Sequence, residues 1–175
     1  MKLYDAQSNH PMVIRLFILE RGGLELDTQV IDVASLENRR AAYRKINPRG
    51  TVPCLVLDNG TTLSEIGAIC EYLDEVAIGG RSLYGSDAAE RAETRMWLRR
   101  MDYEIAQLVI SWWRNDPATI DFYQGYRLPV PEARMIEKLA IHQALNQLDD
   151  DLDGKTWLCG ERFSAADIHF VSYLA

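Results

Sequence analysis

Between residues 54 and 73, apolar residues first form a short continuous run and then recur at helical spacing. An apolar run at residues 54–57 precedes the turn sequence Asp-Asn-Gly at residues 58–60, and Asn-Gly favours a tight hairpin because it tolerates positive φ values. Beyond the turn, apolar side chains recur at helical spacing at Ile66, Ile69, Cys70 and Leu73. The pattern therefore predicts a β-hairpin followed directly by a helix.

Strand-like and helix-like patterns alternate from the start of the chain to residue 75. We expect strands at residues 2–6, 27–32, 54–57 and 61–63, and helices at residues 11–21, 35–46 and 65–75. This β-α-β order followed by β-β-α predicts a mixed sheet covered by helices. The next stretch, residues 76–85, contains three glycines and no periodicity, which indicates a linker.

The second half of the chain carries only helical patterns. Asp87 and Glu90 form a capping signature at the start of a long helix. Its apolar stripe would contain Trp97, Met101, Leu108 and Trp112. Residues 116–131, rich in Pro, Tyr and Gly, predict a break before another helix at about residues 132–152. The expected architecture is an α/β first domain followed by an all-α second domain.

Composition narrows the class of protein. The formal net charge of −7 argues against nucleic-acid binding, because phosphate contacts need clustered positive charge. No apolar run approaches the length of a membrane span, and the first residues enter a strand pattern without a signal-peptide core. Cys54, Cys70 and Cys159 are an odd number at no metal-ligand spacing, so we expect buried free thiols and no metal. A cytoplasmic location is the expectation.

Several segments resemble cytosolic glutathione transferases when taken in order. Residues 47–55 read N-P-x-G-x-V-P-x-L, and residues 65–73 read E-x-x-A-I-x-x-Y-L. The first strand and first helix fit the family's opening, and Phe-Ser-Ala-Ala-Asp-Ile at residues 163–168 is similar to its capping signature in the helical domain. Each pattern alone is common, whereas four in the correct order are specific.

The resemblance implies an organisation of two domains. Residues 1–76 would form a thioredoxin-like, α/β glutathione-binding domain, residues 77–86 the linker, and residues 87–175 the all-helical domain. Related transferases continue through further helices, so the end at Ala175 predicts a truncated second domain or a tail outside the sequence.

The resemblance also places glutathione. A proline cannot donate to a sheet ladder, so Pro53 lies at a strand entry, and a cis bond before it would turn the main chain of Val52 toward an extended peptide. Glu65 would hold the γ-glutamyl amine, and the helix-start N–H groups at Ile66 and Gly67 its carboxylate. The family usually has Ser or Thr where this chain has Ile66, which removes a hydroxyl donor and keeps the backbone one.

The glycine carboxylate of glutathione needs a cation or donor before Val52. Asn38 and Arg40 are the candidates taken from the second helix, with Arg39 and Arg44 in the same region. Thr51 stands where several classes have lysine. For each individual arginine, an ordinary solvated surface position is the preferred interpretation.

Thiol activation belongs to the loop after the first strand. The family's pattern puts Ser8 nearest the serine of the serine-type classes, with Asn9 or His10 as alternatives if the loop is set differently. A hydroxyl that donates to sulfur favours thiolate over thiol. The same loop sequence is also ordinary for the start of a helix that has proline in its first turn.

The resulting hypothesis is a cytoplasmic, homodimeric detoxification enzyme that joins glutathione, its co-substrate, to small hydrophobic electrophiles. Trp112, Trp113, Phe122, Tyr123 and Tyr126 are candidates for the electrophile pocket, with the two tryptophans expected in the core. The alternatives are a non-catalytic binding or regulatory protein with the same fold, and a specialised glutathione-dependent isomerase or peroxidase.

Overall fold

The computed structural model describes residues 1–174, and its contacts divide the chain into two units, Met1–Arg91 and Ala92–Ala175. The first unit is a four-stranded α/β layer, and the second is helical. This confirms the predicted fold class, a thioredoxin-like α/β domain followed by an all-α domain.

The sheet of the first unit has the strand order β2-β1-β3-β4. Its strands are β1, Lys2–Asp5; β2, Asp27–Val30; β3, Cys54–Val56; and β4, Thr62–Leu63. β1 runs parallel to β2 and antiparallel to β3, and β3 runs antiparallel to β4. The predicted mixed sheet and hairpin are therefore present.

Helices cover both faces of this sheet because the central strands are apolar on both sides. The helices are α1, Asn9–Arg21; α2, Ala41–Arg44; and α3, Ile66–Val76. Tyr4 and Cys54 pair across the ladder and pack with Ile31 and Tyr43 of the α2 side. Their neighbours Leu3 and Leu55 are also paired and are fully buried, on the opposite face.

The predicted second helix, residues 35–46, is wrong as one element. The structure has a 3₁₀ turn at Glu37–Arg39, an extended Arg40 at φ −73° and ψ 152°, and then the short α2. Leu36 adopts a left-handed conformation, φ 59°, which a continuous helix cannot contain. The side chain of Asn38 donates to the carbonyl of Gly50 at 2.7 Å, and this long-range contact replaces helical continuity.

A buried ion pair ties the ends of α1 and α3 together. Arg21 Nε donates to Asp74 Oδ1 at 2.9 Å, and the two side chains are 6% and 7% exposed. The backbone N–H of Leu83 donates to the same carboxylate oxygen at 2.9 Å, and the Ser82 hydroxyl donates to the other oxygen at 2.5 Å. The segment after α3 is thereby anchored to the helix ends.

One long helical stretch begins at the end of the first unit and continues into the second. It comprises α4, Ala88–Arg100; a π-helical segment, Met101–Ala106; and α5, Gln107–Arg114. Three helices follow: α6, Ile120–Tyr123; α7, Arg134–Leu152; and α8, Ala165–Val171. The predicted start is confirmed, since Asp87 accepts a hydrogen bond from the N–H of Glu90 at 2.9 Å.

The π-helical segment explains why the predicted apolar stripe ends early. Trp97 and Met101 are buried, whereas Leu108 and Trp112 are only half-buried. Trp113 is 52% exposed, so the expectation that it lies in the core is wrong. A π turn adds a residue to the helical period and rotates the following side chains away from the preceding stripe.

The capping signature near the end of the chain is confirmed. The Ser164 hydroxyl accepts from the N–H of Ala166 at 3.3 Å, and Asp167 accepts from the N–H of Ser164 at 2.8 Å. All three cysteines are buried and free, as expected. Among residues 1–174, no helix has both the length and the apolar character needed to cross a membrane.

Candidate functional site

Three predicted site segments lie at one end of the sheet in the first unit. β1 and β4 both pair antiparallel with β3, so they run in the same direction. The carboxyl ends of β1 and β4 and the amino end of β3 therefore lie side by side, with neighbouring strands about 4.8 Å apart. Ser8 follows β1, Val52 and Pro53 precede β3, and Glu65 follows β4.

The Val52–Pro53 peptide bond is cis, as expected from the sequence. Pro53 is buried, and Val52 is half-buried. The β1–β3 ladder ends at the pair Tyr4–Cys54, so Val52 lies beyond it. Within the described residues, no backbone group pairs with the N–H or carbonyl of Val52. The main chain at Val52 is therefore available to an extended peptide.

Two buried side chains hold Thr51, the residue that precedes Val52. The Tyr43 hydroxyl donates to the Thr51 carbonyl at 2.7 Å, and the Asn47 amide donates to the same oxygen at 2.9 Å. Tyr43 and Asn47 are 3% and 2% exposed. The sequence patterns do not predict these two contacts. The signal nearest to them is the Asn that opens the N-P-x-G-x-V-P motif.

Burial keeps the reactive groups behind this loop protonated. It raises the pKa of the Cys54 thiol and raises the pKa of the Tyr43 phenol above its ordinary value of 10.0. A thiol with a raised pKa is a poor nucleophile, so Cys54 acts as part of the apolar core. Tyr4 packs edge-to-face against Tyr43, with ring centroids 5.8 Å apart, and is likewise a core residue.

The start of α3 faces open space. Glu65 occupies the N-cap position at φ −107° and ψ 133°, is exposed, and makes no capping hydrogen bond with its side chain. Ile66 is buried, whereas Gly67 is exposed, with no atom within 4 Å of the position a Cβ would take. The first N–H groups of a helix have no partner inside it. They make this helix start suitable for an anion, with a carboxylate beside it for a cation.

Ser8 is the N-cap residue of α1, and its side chain makes no capping hydrogen bond. The residue is exposed, while Asn9 and His10 are half-buried. Its backbone is fixed, because its N–H donates to the Ala6 carbonyl and its carbonyl accepts from the N–H of Met12, both at 3.1 Å. A hydroxyl on a fixed backbone at a positive helix start suits the stabilisation of an anion.

The residues predicted to bind the glycine carboxylate of glutathione lie in different environments. Asn38 is buried, and its amide nitrogen donates to the Gly50 carbonyl. Arg40 is exposed, and its Nη2 donates a hydrogen bond to the Ser35 carbonyl at 3.2 Å. Arg39 lies beside the loop instead, with Nη1 3.8 Å from the Cβ position of Gly50. The structure therefore brings Arg39 closer to the Val52 loop than its sequence position suggested.

Comparison with known proteins identifies the family to which this fold belongs. The model of the glutathione S-transferase N-terminal domain matches residues 12–76, and that of the C-terminal domain matches residues 116–175. The crystal structure of a glutathione S-transferase domain-containing protein from Marinobacter aquaeolei is 30% identical, with a TM-score of 0.89 over 99% of this chain and 85% of that one. This chain belongs to the glutathione S-transferase family.

Two curated relatives match different shares of the chain. Protein LigF from Sphingobium sp. is 37% identical over 103 residues, which are 58% of this chain and 40% of LigF. Elongation factor 1-gamma from Artemia salina is 29% identical over 167 residues, which are 95% of this chain and 36% of that protein. The chain thus spans well under half the length of either relative.

Proposed function

We propose that this member of the glutathione S-transferase family is a glutathione transferase, which adds the thiolate of glutathione to small hydrophobic electrophiles. The observation that carries the proposal is the common location of three features at one end of the sheet. These are an unpaired main chain beside a cis-proline, an open helix start with an acid, and an exposed hydroxyl at a second helix start.

The γ-glutamyl group has an amine and a carboxylate, and the start of α3 has a complement for each. In our proposal the carboxylate of Glu65 pairs with the amine, while the N–H groups of Ile66 and Gly67 bind the carboxylate. The cysteinyl main chain pairs with the backbone of Val52, in the manner of a strand added to an edge. Pro53 holds this backbone in place from the buried side.

The glycine carboxylate would then lie on the β2 side of the Val52 loop. We propose that Arg39 and Arg40 supply the positive charge there, with Arg39 nearer to the loop. Asn38 contributes indirectly in this proposal, because its amide fixes the Gly50 carbonyl two residues before Val52.

The chemical step in this proposal needs only a stabilised thiolate. The Ser8 hydroxyl and the positive end of α1 favour the ionised sulfur, and the thiol proton passes to solvent. The sulfur lone pair then forms a carbon–sulfur bond with the electrophile, and the leaving group departs with the electrons of the broken bond. Glutathione is a co-substrate in this reaction, and no metal takes part in it.

The helical unit offers an aromatic surface for an apolar molecule. Tyr123 is buried among three other rings, with centroids 6.0 Å from Trp113, 5.0 Å from Phe122 and 5.5 Å from Tyr126. Trp113 and Tyr126 are 52% and 36% exposed. We propose these two exposed rings as an apolar surface of the helical unit itself, beside Trp112, which is half-buried under the Arg134 guanidinium at 4.5 Å.

A non-catalytic binding protein is the second candidate. Two observations favour it: the similarity to elongation factor 1-gamma over 95% of the chain, and Ile66 at the position where the family usually has a hydroxyl. We also propose a homodimer in the cytoplasm, which sedimentation velocity at micromolar concentration and fractionation of cells can test.

The deciding experiment measures binding and turnover on the same preparation. Retention on immobilised glutathione, release by free glutathione, and conjugation to chlorodinitrobenzene are the expected results. Retention without conjugation to any of a panel of electrophiles would favour the binding protein. Absence of retention, with the protein shown to be folded by circular dichroism, would contradict the proposed transferase.

A further inference from the structure

A half-buried ion pair joins the end of β1 to α1, three residues before Ser8. Asp5, the last residue of β1, is 5% exposed. Arg15 Nη1 lies 2.8 Å from Oδ1 and 3.1 Å from Oδ2 of this carboxylate. The same nitrogen donates to the carbonyl of Ala6 at 2.8 Å. One guanidinium nitrogen thus holds both the side chain and the main chain at the end of the strand.

The Ala6 carbonyl is also the acceptor for Ser8. The backbone N–H of Ser8 donates to it at 3.1 Å, so this oxygen receives donors from α1 and from the loop that precedes α1. Ala6 itself is fully buried. The Ser8 N–H makes its hydrogen bond to this carbonyl. A shift of the Ala6 carbonyl would therefore also move the Ser8 hydroxyl.

We infer that Arg15 is a positioning residue that fixes the Ser8 hydroxyl against the glutathione sulfur by clamping Asp5 and the Ala6 carbonyl. The inference rests on the proposed function. Arg15 does not need to touch glutathione in this arrangement. Its contribution passes through Ala6, and it affects the ionisation of the thiol more than the affinity for the rest of the peptide.

A competing explanation is that the positive charge of Arg15 acts on the thiolate directly. The two explanations predict opposite effects when Asp5 is replaced. Asp5→Ala removes a negative charge and leaves Arg15, so a direct charge effect lowers the pKa of the bound thiol. Positioning predicts a raised pKa, because the guanidinium loses its anchor and the Ala6 carbonyl loses its second donor.

The test follows the ultraviolet absorbance of bound thiolate against pH in the wild type, Arg15→Met, Arg15→Lys and Asp5→Ala, at saturating glutathione. We expect a raised thiol pKa in Arg15→Met and Asp5→Ala. We also expect a loss of kcat on the order of 10- to 100-fold, since a misplaced group far from the reacting bond has effects of this size. The dissociation constant for glutathione should change less than kcat. Arg15→Lys should be intermediate, because an ammonium keeps the charge and can donate to the same oxygens, but it is a strongly hydrated point charge on a flexible stem.

Asp27→Asn is the matched control for removing a carboxylate. Asp27 forms an exposed pair with Lys2 at 3.8 Å, at the opposite end of the same sheet, and the variant should titrate like the wild type. A lowered thiol pKa in Asp5→Ala, or an unchanged one in Arg15→Met, would overturn the positioning role.

Other outcomes separate this inference from the proposed function. A wild type that binds no glutathione overturns both. If the wild type turns over normally and Arg15→Met shows the same pH profile as the wild type, only the role of Arg15 is overturned. Loss of the fold in all three variants would make the clamp a structural contact and would also overturn the inference.

Discussion

Glu65 is the residue on which the recognition of glutathione depends most. Its exposed carboxylate at the N-cap of α3 makes no capping hydrogen bond, so its charge is available to a ligand amine. Glu65→Gln should weaken glutathione binding by about 1.5–3 kcal/mol, the usual contribution of a hydrogen bond between charged groups, because it leaves a bound amine without its counter-charge. Titration calorimetry measures the effect. Glu75→Gln, an exposed acid at the other end of α3, is the control and should bind normally.

Ser8 has a kinetic role in the proposed mechanism. Ser8→Ala should lower conjugation by about 10²–10³, the usual cost of losing one preorganised donor to an anion, while glutathione affinity stays nearly unchanged. The variant should stay as stable as the wild type, because the hydroxyl makes no capping hydrogen bond. Steady-state kinetics and urea unfolding separate the two effects. If turnover survives here and is lost in Asn9→Ala or His10→Ala, the activating residue is one of those two.

At the scale of elements, the Arg21–Asp74 pair should dominate the attachment of α1 to α3. Asp74→Ala leaves the Arg21 guanidinium buried without its counter-charge and should cost about 3–5 kcal/mol of unfolding free energy. Asp27→Ala breaks the exposed pair with Lys2 and should cost no more than about 1 kcal/mol. Urea denaturation of both variants measures the difference. Equal losses of unfolding free energy would contradict the stabilising role of the Arg21–Asp74 pair.

The elements also show what could be predicted from the sequence. Local patterns predict the strands, the hairpin and the capping of α8. The strand and hairpin patterns also predict that Val52 and Pro53 precede a strand and that Glu65 begins a helix. The break at Arg40 depends on the contact between Asn38 and Gly50, which lie far apart in sequence. The π turn has no signature in apolar spacing, and neither has the clamp by which Tyr43 and Asn47 hold Thr51. The first and last of these features depend on hydrogen bonds made by individual polar side chains, which apolar spacing does not record.

For the whole molecule, stability should fall in alkaline solution. Burial raises the pKa of the thiols of Cys54 and Cys70 above the ordinary value of 9.0 and also raises the pKa of the Tyr43 phenol. The folded state therefore keeps protons that the unfolded state releases, so the stabilisation is complete below about pH 9 and is lost as the pH rises further. Each group contributes a slope of up to about 1.4 kcal/mol per pH unit. Urea unfolding across this range measures it, and Cys70→Ala should reduce the slope.

A crystal structure of the protein with bound glutathione tests the central claim most directly. We predict the γ-glutamyl group at Glu65 and the start of α3, the cysteinyl main chain paired with Val52, and the sulfur within hydrogen-bonding distance of the Ser8 hydroxyl. Glutathione bound elsewhere on the protein, or bound here with its sulfur directed away from the start of α1, would contradict the account.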